Sequence, residues 1–169
     1  DAAQWVGVPP PGDALGRAHG ALRVTAAVQG VLGRTDGVYR VDGGEAVLER
    51  ADPTAAAQLE QHYGYGLTPY NGCDIRHATA VWFFSVRPRD LVEGSGPHAW
   101  HDAQYACGWA AQGVCIAAAA AGLFARPVRA FHEVPTQRVL GLDPEEMLVL
   151  AVVTGAERHT AGVQLDLRF

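Results

Sequence analysis

With 169 residues, 49% of them hydrophobic and only 18% charged, the chain is long enough for one domain with a sizeable core and too apolar to be disordered. Its net charge of −5 argues against a nucleic-acid or anionic-membrane partner, because no basic face is available to release counterions. All thirteen basic residues are arginine, so Schiff-base chemistry, a phosphate-loop lysine and any lysine general acid are excluded by inventory.

Residues 1–20 carry three consecutive prolines and four glycines and read as an irregular arm, with residues 21–169 forming a single domain. Residues 21–29 and 37–49 read as strands, the second turning at Asp42-Gly43-Gly44, a strong hairpin signal. A helix is expected over 53–62, with Asp52 as N-cap and Pro53 at its first position. Residues 64–72 are turn-rich. The aromatic run 78–86 is short enough for a buried strand, which Pro88 closes. Residues 92–97, around Gly94-Ser95-Gly96, read as a flexible loop, and a long alanine-rich helix follows from about 100 to 121.

Beyond that helix, 127–131 reads as extended, 135–140 as a short helix and 147–154 as a continuous apolar strand of the kind covered on both faces. The sum is an α+β sandwich: one mixed sheet with helices packed over it. The apolar stretch 109–125 approaches the minimum membrane span of about 17 residues. Gln112 and two glycines interrupt it, and alanine contributes little to insertion, so a buried helix explains it better. Cys73, Cys107 and Cys115 form no close pair, and their odd number suggests reduced thiols in a cytoplasm. The start at Asp1 shows no secretory pattern.

The stretch from Gly108 to Gly155, GWAAQGVCIAAAAAGLFARPVRAFHEVPTQRVLGLDPEEMLVLAVVTG, holds a small-residue helix ending in Gly-Leu, a Pro-Val segment, a Leu-Gly-Leu-Asp-Pro turn and an apolar strand. That order resembles the nitroreductase-like flavoproteins. ALRVTAAVQGV followed by GVYRVDGGEAVLER is similar to the SagB-type peptide dehydrogenase branch, so the likeness covers most of residues 20 to 155. The resemblance implies a dimer built around the long helix and bound flavin mononucleotide (FMN). It also implies that the main chain of Val128, Arg129 and Ala130 meets the flavin edge and that Arg158 or Arg168 serves the phosphate. Read without the resemblance, each arginine is an ordinary solvated surface charge.

Two departures from the family pattern stand out. The arginine-serine-arginine motif of the family's first helix, which grips the phosphate, has no counterpart here. The Lys-Tyr pair that SagB-type dehydrogenases carry before the long helix falls on Gly94 and Ser95, neither of which is a base. The same region offers His101 beside Asp102, a histidine and carboxylate suited to accept a proton. Asp102 is equally an ordinary helix-start residue favoured by the helix dipole. His98 and His101 share an i, i+3 face without a third ligand, so no metal site is expected.

Two functions follow. One is an FMN-dependent dehydrogenase that oxidises an azoline or similar ring in a peptide. The other is a degenerate, flavin-free subunit that completes a homodimer or a heterodimer with a related chain and holds a partner or substrate peptide.

Overall fold

A strand whose every residue is apolar or small has to be covered on both faces, and the run AVWFFSV meets that demand at the centre of a six-stranded sheet. The computed structural model describes residues 2–64 and 75–156. In chain order the elements are α1 (Ala2–Val6), α2 (Asp13–Gly20), β1 (Arg23–Val28), β2 (Gly37–Asp42), β3 (Glu45–Ala51), α3 (Ala55–Glu60), β4 (Ala80–Val86), α4 (Pro88–Ser95), α5 (Ala99–Ala120), β5 (Phe124–Val128), α6 (Glu133–Leu140) and β6 (Met147–Gly155). Short 3-10 turns at Ile75–His77 and Gly96–His98 precede β4 and α5.

The sheet order is β3-β2-β1-β4-β6-β5, and all five pairings are antiparallel. The expected α+β layering is therefore present, but among the described residues the sheet is wholly antiparallel and not mixed. The reason lies in the last two strands. α5 carries the chain back so that β5 runs parallel to β4, yet β6 inserts between them and pairs antiparallel with both.

Alternation along β4 divides the core. Val81 and Phe83 join Val38, Leu59, Val139, Leu140 and Val153 on the side of α3 and α6. Trp82 and Phe84 join Val24, Ala110, Val114 and Val152 on the side of α5. A smaller cluster of Val86, Leu91, Ala99 and Ala103 seals the end where α4 meets α5.

Alanine dominates α5 because it has the highest helix propensity and the smallest burial volume. Ala99, Ala103, Ala106, Ala110, Val114 and Ala118 recur every three or four residues along the buried face. The helix stops at Gly122, whose φ of 69° is the left-handed conformation a side chain resists. Leu123 N–H then donates to Ala118 O at 2.9 Å and Gly122 N–H to Ala119 O at 3.1 Å. α6 ends by the same device, with Leu142 N–H donating to Gln137 O and Gly141 N–H to Arg138 O. Both Gly-Leu pairs are thus stop signals.

Three local expectations give way. Residues 2–20 form two helices instead of an irregular arm, because α1 and α2 each pack against α5. Residues 92–95 lie in α4 and not in a loop: Pro88 both ends β4 and opens α4 at its first turn, and Leu91 is buried beneath it. The helix expected over 53–62 begins only at Ala55. Asp52 is not its N-cap, but its Oδ1 accepts from the Thr54 hydroxyl at 2.7 Å and amide at 3.0 Å. Those bonds from Thr54, with help from Arg50, hold the Asp52 carboxyl below its ordinary value. The hairpin at Gly43-Gly44, the long helix and the strands β1, β2, β4 and β6 form as expected.

α1 crosses α5 at Gly113, where an added Cβ would sit 2.8 Å from the Trp5 carbonyl oxygen. Gly113→Ala gains up to about 1 kcal/mol of helix propensity. Backbone overlap of this kind costs about 1–3 kcal/mol, so the substitution is expected to lower stability, measured by urea unfolding, and to displace α1.

Candidate functional site

Pro127 has no N–H to donate, so it belongs on an edge strand, and β5 is the edge next to β6. Val128, opposite Ala151, is buried and is the last residue of the strand. The chain then leaves the sheet through Arg129, Ala130 and Phe131.

This segment is held at several points. Phe131 packs edge-on to Phe83, with ring centroids 5.9 Å apart and planes at 75°. The Arg129 guanidinium lies 4.7 Å from the centroid of the Phe131 ring and donates from Nη2 to Glu133 Oε2 at 3.2 Å. Glu133 Oε1 accepts from Leu148 N–H at 3.0 Å, so one carboxylate ties Arg129 to the start of β6. The Ala130 carbonyl accepts from Gly64 N–H at 2.7 Å, and His132 N–H donates to His62 O at 2.8 Å. Among the described residues, the Ala130 N–H has no acceptor. A half-buried main-chain donor left open beside a buried valine is the kind of group that meets a heteroatom on the edge of a flat aromatic ligand.

The other expected site residues lie elsewhere. His101 and Asp102 sit in the first turn of α5, at the end of the sheet marked by Val86 and Met147; His101 is exposed and Asp102 half-buried. No hydrogen bond or ion pair joins either side chain to residues 128–130 among the described residues. Gly94 and Ser95 occupy the last turn of α4. Arg158, Arg168 and Cys73 fall outside the described residues. No group of three His, Cys, Asp or Glu residues is placed to hold a metal, and no helix is long and apolar enough to cross a membrane, among the described residues.

Beside this segment, the sequence left other groups unremarked. Glu146 is 6% exposed and accepts from Ser85 Oγ at 2.9 Å and Arg23 Nη1 at 3.3 Å. Arg87 donates to Asp143 at 2.6 Å. In sequence Glu145 and Glu146 look alike, and only the pairing of β4 with β6 puts the second beside Ser85. On the outer face of α5, Tyr105, Trp109 and Ile116 are 70%, 44% and 42% exposed, an apolar stripe at helical spacing. Trp109 Nε1 donates to Val8 O at 2.9 Å and so fixes the ring in that face.

The sequence matches the nitroreductase family over residues 31–156. No curated protein matches it. Solved structures share the fold at low identity. A protein assigned as a nitroreductase, from Anabaena variabilis ATCC 29413, superposes with a TM-score of 0.70 at 20% identity, over 82% of this chain and 27% of its own. The E. coli microcin synthetase McbBCD complex with truncated pro-MccB17 bound matches at a TM-score of 0.70 and 10% identity, over 94% of this chain and 62% of that one. The NADPH:FMN oxidoreductase from Vibrio harveyi complexed with NAD+ matches at 0.62 and 12% identity, over 99% of this chain and 62% of that one. This chain therefore spans less than two thirds of the length of each.

The buried cysteine of α5 is not a nucleophile. Desolvation pushes the Cys107 thiol up to about 12, and burial also raises Cys115. At pH 8 an aromatic disulfide reagent is expected to leave Cys107 unlabelled in the native protein and to label it in urea, with peptide mass mapping as the readout.

Proposed function

Because the chain belongs to the nitroreductase family, we propose that it is an FMN-dependent oxidoreductase that dehydrogenates a ring in a peptide, an azoline or a related heterocycle. The observation that carries this reading is the pinned segment 128–131, whose open Ala130 amide stands beside buried Val128 directly after the helix and edge strand. Bound there, FMN supplies the hydride acceptor.

The chain's own residues take the remaining tasks. Val128 and Ala130 present the wall and the donor for the ring edge, and Arg129 lends positive charge beside them. Arg158 or Arg168 serves the phosphate. His101, beside Asp102 in the first turn of α5, takes the proton that leaves with the hydride. The peptide substrate is supported by the sequence likeness to SagB-type dehydrogenases and by the shared fold of the peptide-bound microcin synthetase complex. The exposed stripe Tyr105, Trp109 and Ile116 becomes the face of a homodimer, or of a heterodimer with a related chain, because apolar stripes of this kind are seldom left in water. The setting is cytoplasmic.

A second reading has its own support. α1 is AAQWV, without a cation, and the arginine-serine-arginine anchor is missing from residues 2–20. Where no other arginine takes that place, losing a bidentate contact to a buried phosphate costs about 2–5 kcal/mol, enough to leave a flavin-free subunit that shapes a partner's site and holds its peptide.

The deciding experiment is visible absorbance of the purified protein and titration with FMN, together with the mass of the intact assembly. Stoichiometric flavin supports the oxidoreductase, whereas a colourless protein that ignores added FMN leaves the degenerate subunit standing. In the flavin-loaded protein, Arg129→Ala is expected to weaken FMN retention about tenfold, as loss of a charged contact does. Unchanged retention removes that placement. His101→Ala is expected to keep the fold and flavin while slowing turnover by about 10²–10⁴-fold, and an unchanged rate removes His101 as the base.

A further inference from the structure

Among the described residues, the alanines near the C-terminal end of α5 do not all pack against a neighbour. Beyond the close crossing at Gly113, Ala117, Ala120 and Ala121 form one wall of an open cavity of about 430 Å³, within the range of small-molecule pockets. Trp5 of α1 closes one side, and Val28, Tyr39 and Trp82 of the sheet form the floor. None of its lining residues belongs to the segment 128–131, so the cavity stands apart from the flavin reading.

Three of the polar side chains in the wall are already satisfied. Trp82 Nε1 donates to Thr154 Oγ1 at 3.3 Å, and that hydroxyl donates to Ala80 O at 3.0 Å. The Tyr39 hydroxyl donates to Thr35 O at 2.6 Å. An occupant rich in amides would lose its own hydrogen bonds to water against such a surface without replacing them. An alkyl or aryl body loses none.

Charge selects the other end of the occupant. Arg34 is the single charged residue in the lining. Its Nη1 donates to Ala46 O at 3.3 Å, and it forms no ion pair among the described residues. A guanidinium with donors to spare at the rim of an apolar cavity complements one carboxylate. We propose that this cavity binds an apolar monocarboxylic acid, its hydrocarbon body lying between the α5 alanines and Trp82 and its carboxylate on Arg34.

The test uses intrinsic tryptophan fluorescence, since Trp5 and Trp82 both line the cavity. The whole protein is titrated with decanoate, and with decanol and decyltrimethylammonium as neutral and cationic probes of like length. Sedimentation velocity is run at each ligand concentration. The expected result is saturable one-to-one binding of decanoate, about tenfold tighter than decanol, as a charge-assisted hydrogen bond gives. Arg34→Gln removes that preference, and Ala117→Leu, with its fold checked by circular dichroism, weakens all binding by filling the cavity. The proposal is overturned if decanoate does not bind, if the three probes bind alike, or if Arg34→Gln binds decanoate as tightly as the parent. Binding that appears only as a dimer dissociates also overturns it and assigns the cavity to a second copy of the chain. Arg34 lies on the surface and outside the core clusters, so its substitution remains informative if Ala117→Leu fails to fold.

Discussion

Burial of β4 on both faces is the constraint on which the other elements depend. Phe83 and Phe84 are 2% and 0% exposed and point in opposite directions, so neither layer of helices can be dispensed with. Each such ring contributes about 1.5–3 kcal/mol when taken out of water, a large share of the marginal stability of a domain. β1 and β6 satisfy the backbone of β4 on its two edges, α5 covers Phe84 and Trp82, and α3 with α6 covers Phe83. Where the chain continues beyond those elements, it is free to serve a ligand.

The candidate site is a by-product of that arrangement. α5 must stop before β5 can start, and Gly122 stops it by taking the one backbone conformation that turns the chain out of the helix. β5 then lies on the outer edge because β6 has taken the place beside β4. An edge strand needs fewer donors, tolerates Pro127 and releases the chain early, after five residues. Arg129 to His132 are thereafter held by Phe131 in the core and by bonds to His62, Gly64 and Glu133, while the Ala130 N–H has no acceptor among the described residues. Rigidity next to one open donor is what a site for a planar cofactor requires.

Much of this was legible in the sequence, for identifiable reasons. Continuous apolar runs announced β4 and β6, the Asp-Gly-Gly turn announced the β2-β3 hairpin, and alanine density with Gly-Leu announced α5 and its end. The short helices were not legible. α1 has five residues, too few to overcome nucleation in isolation, and exists through its contact with α5 at Gly113. α4 was hidden because Pro88 terminates a strand and begins a helix equally well. The segment 128–130 was singled out only through the resemblance, as the stretch whose main chain would meet a flavin. The bridge from Glu133 to both Arg129 and Leu148 was not, since it depends on how α6 sits against β6.

The small residues of α5 produce three different surfaces along a single helix. At Ala110 and Ala111 they let the helix sit down on the sheet. At Gly113 even a methyl group is too large, so the helix α1 crosses on a residue with none. At Ala117, Ala120 and Ala121 the same economy of volume leaves space that no neighbour fills among the described residues. Which of these holds is decided by the partner's geometry and not by composition, because a methyl side chain neither demands burial nor resists it strongly. The apolar stripe of Tyr105, Trp109 and Ile116 is different in kind: side chains of that size do carry a free-energy cost in water, and among the described residues they remain 70%, 44% and 42% exposed.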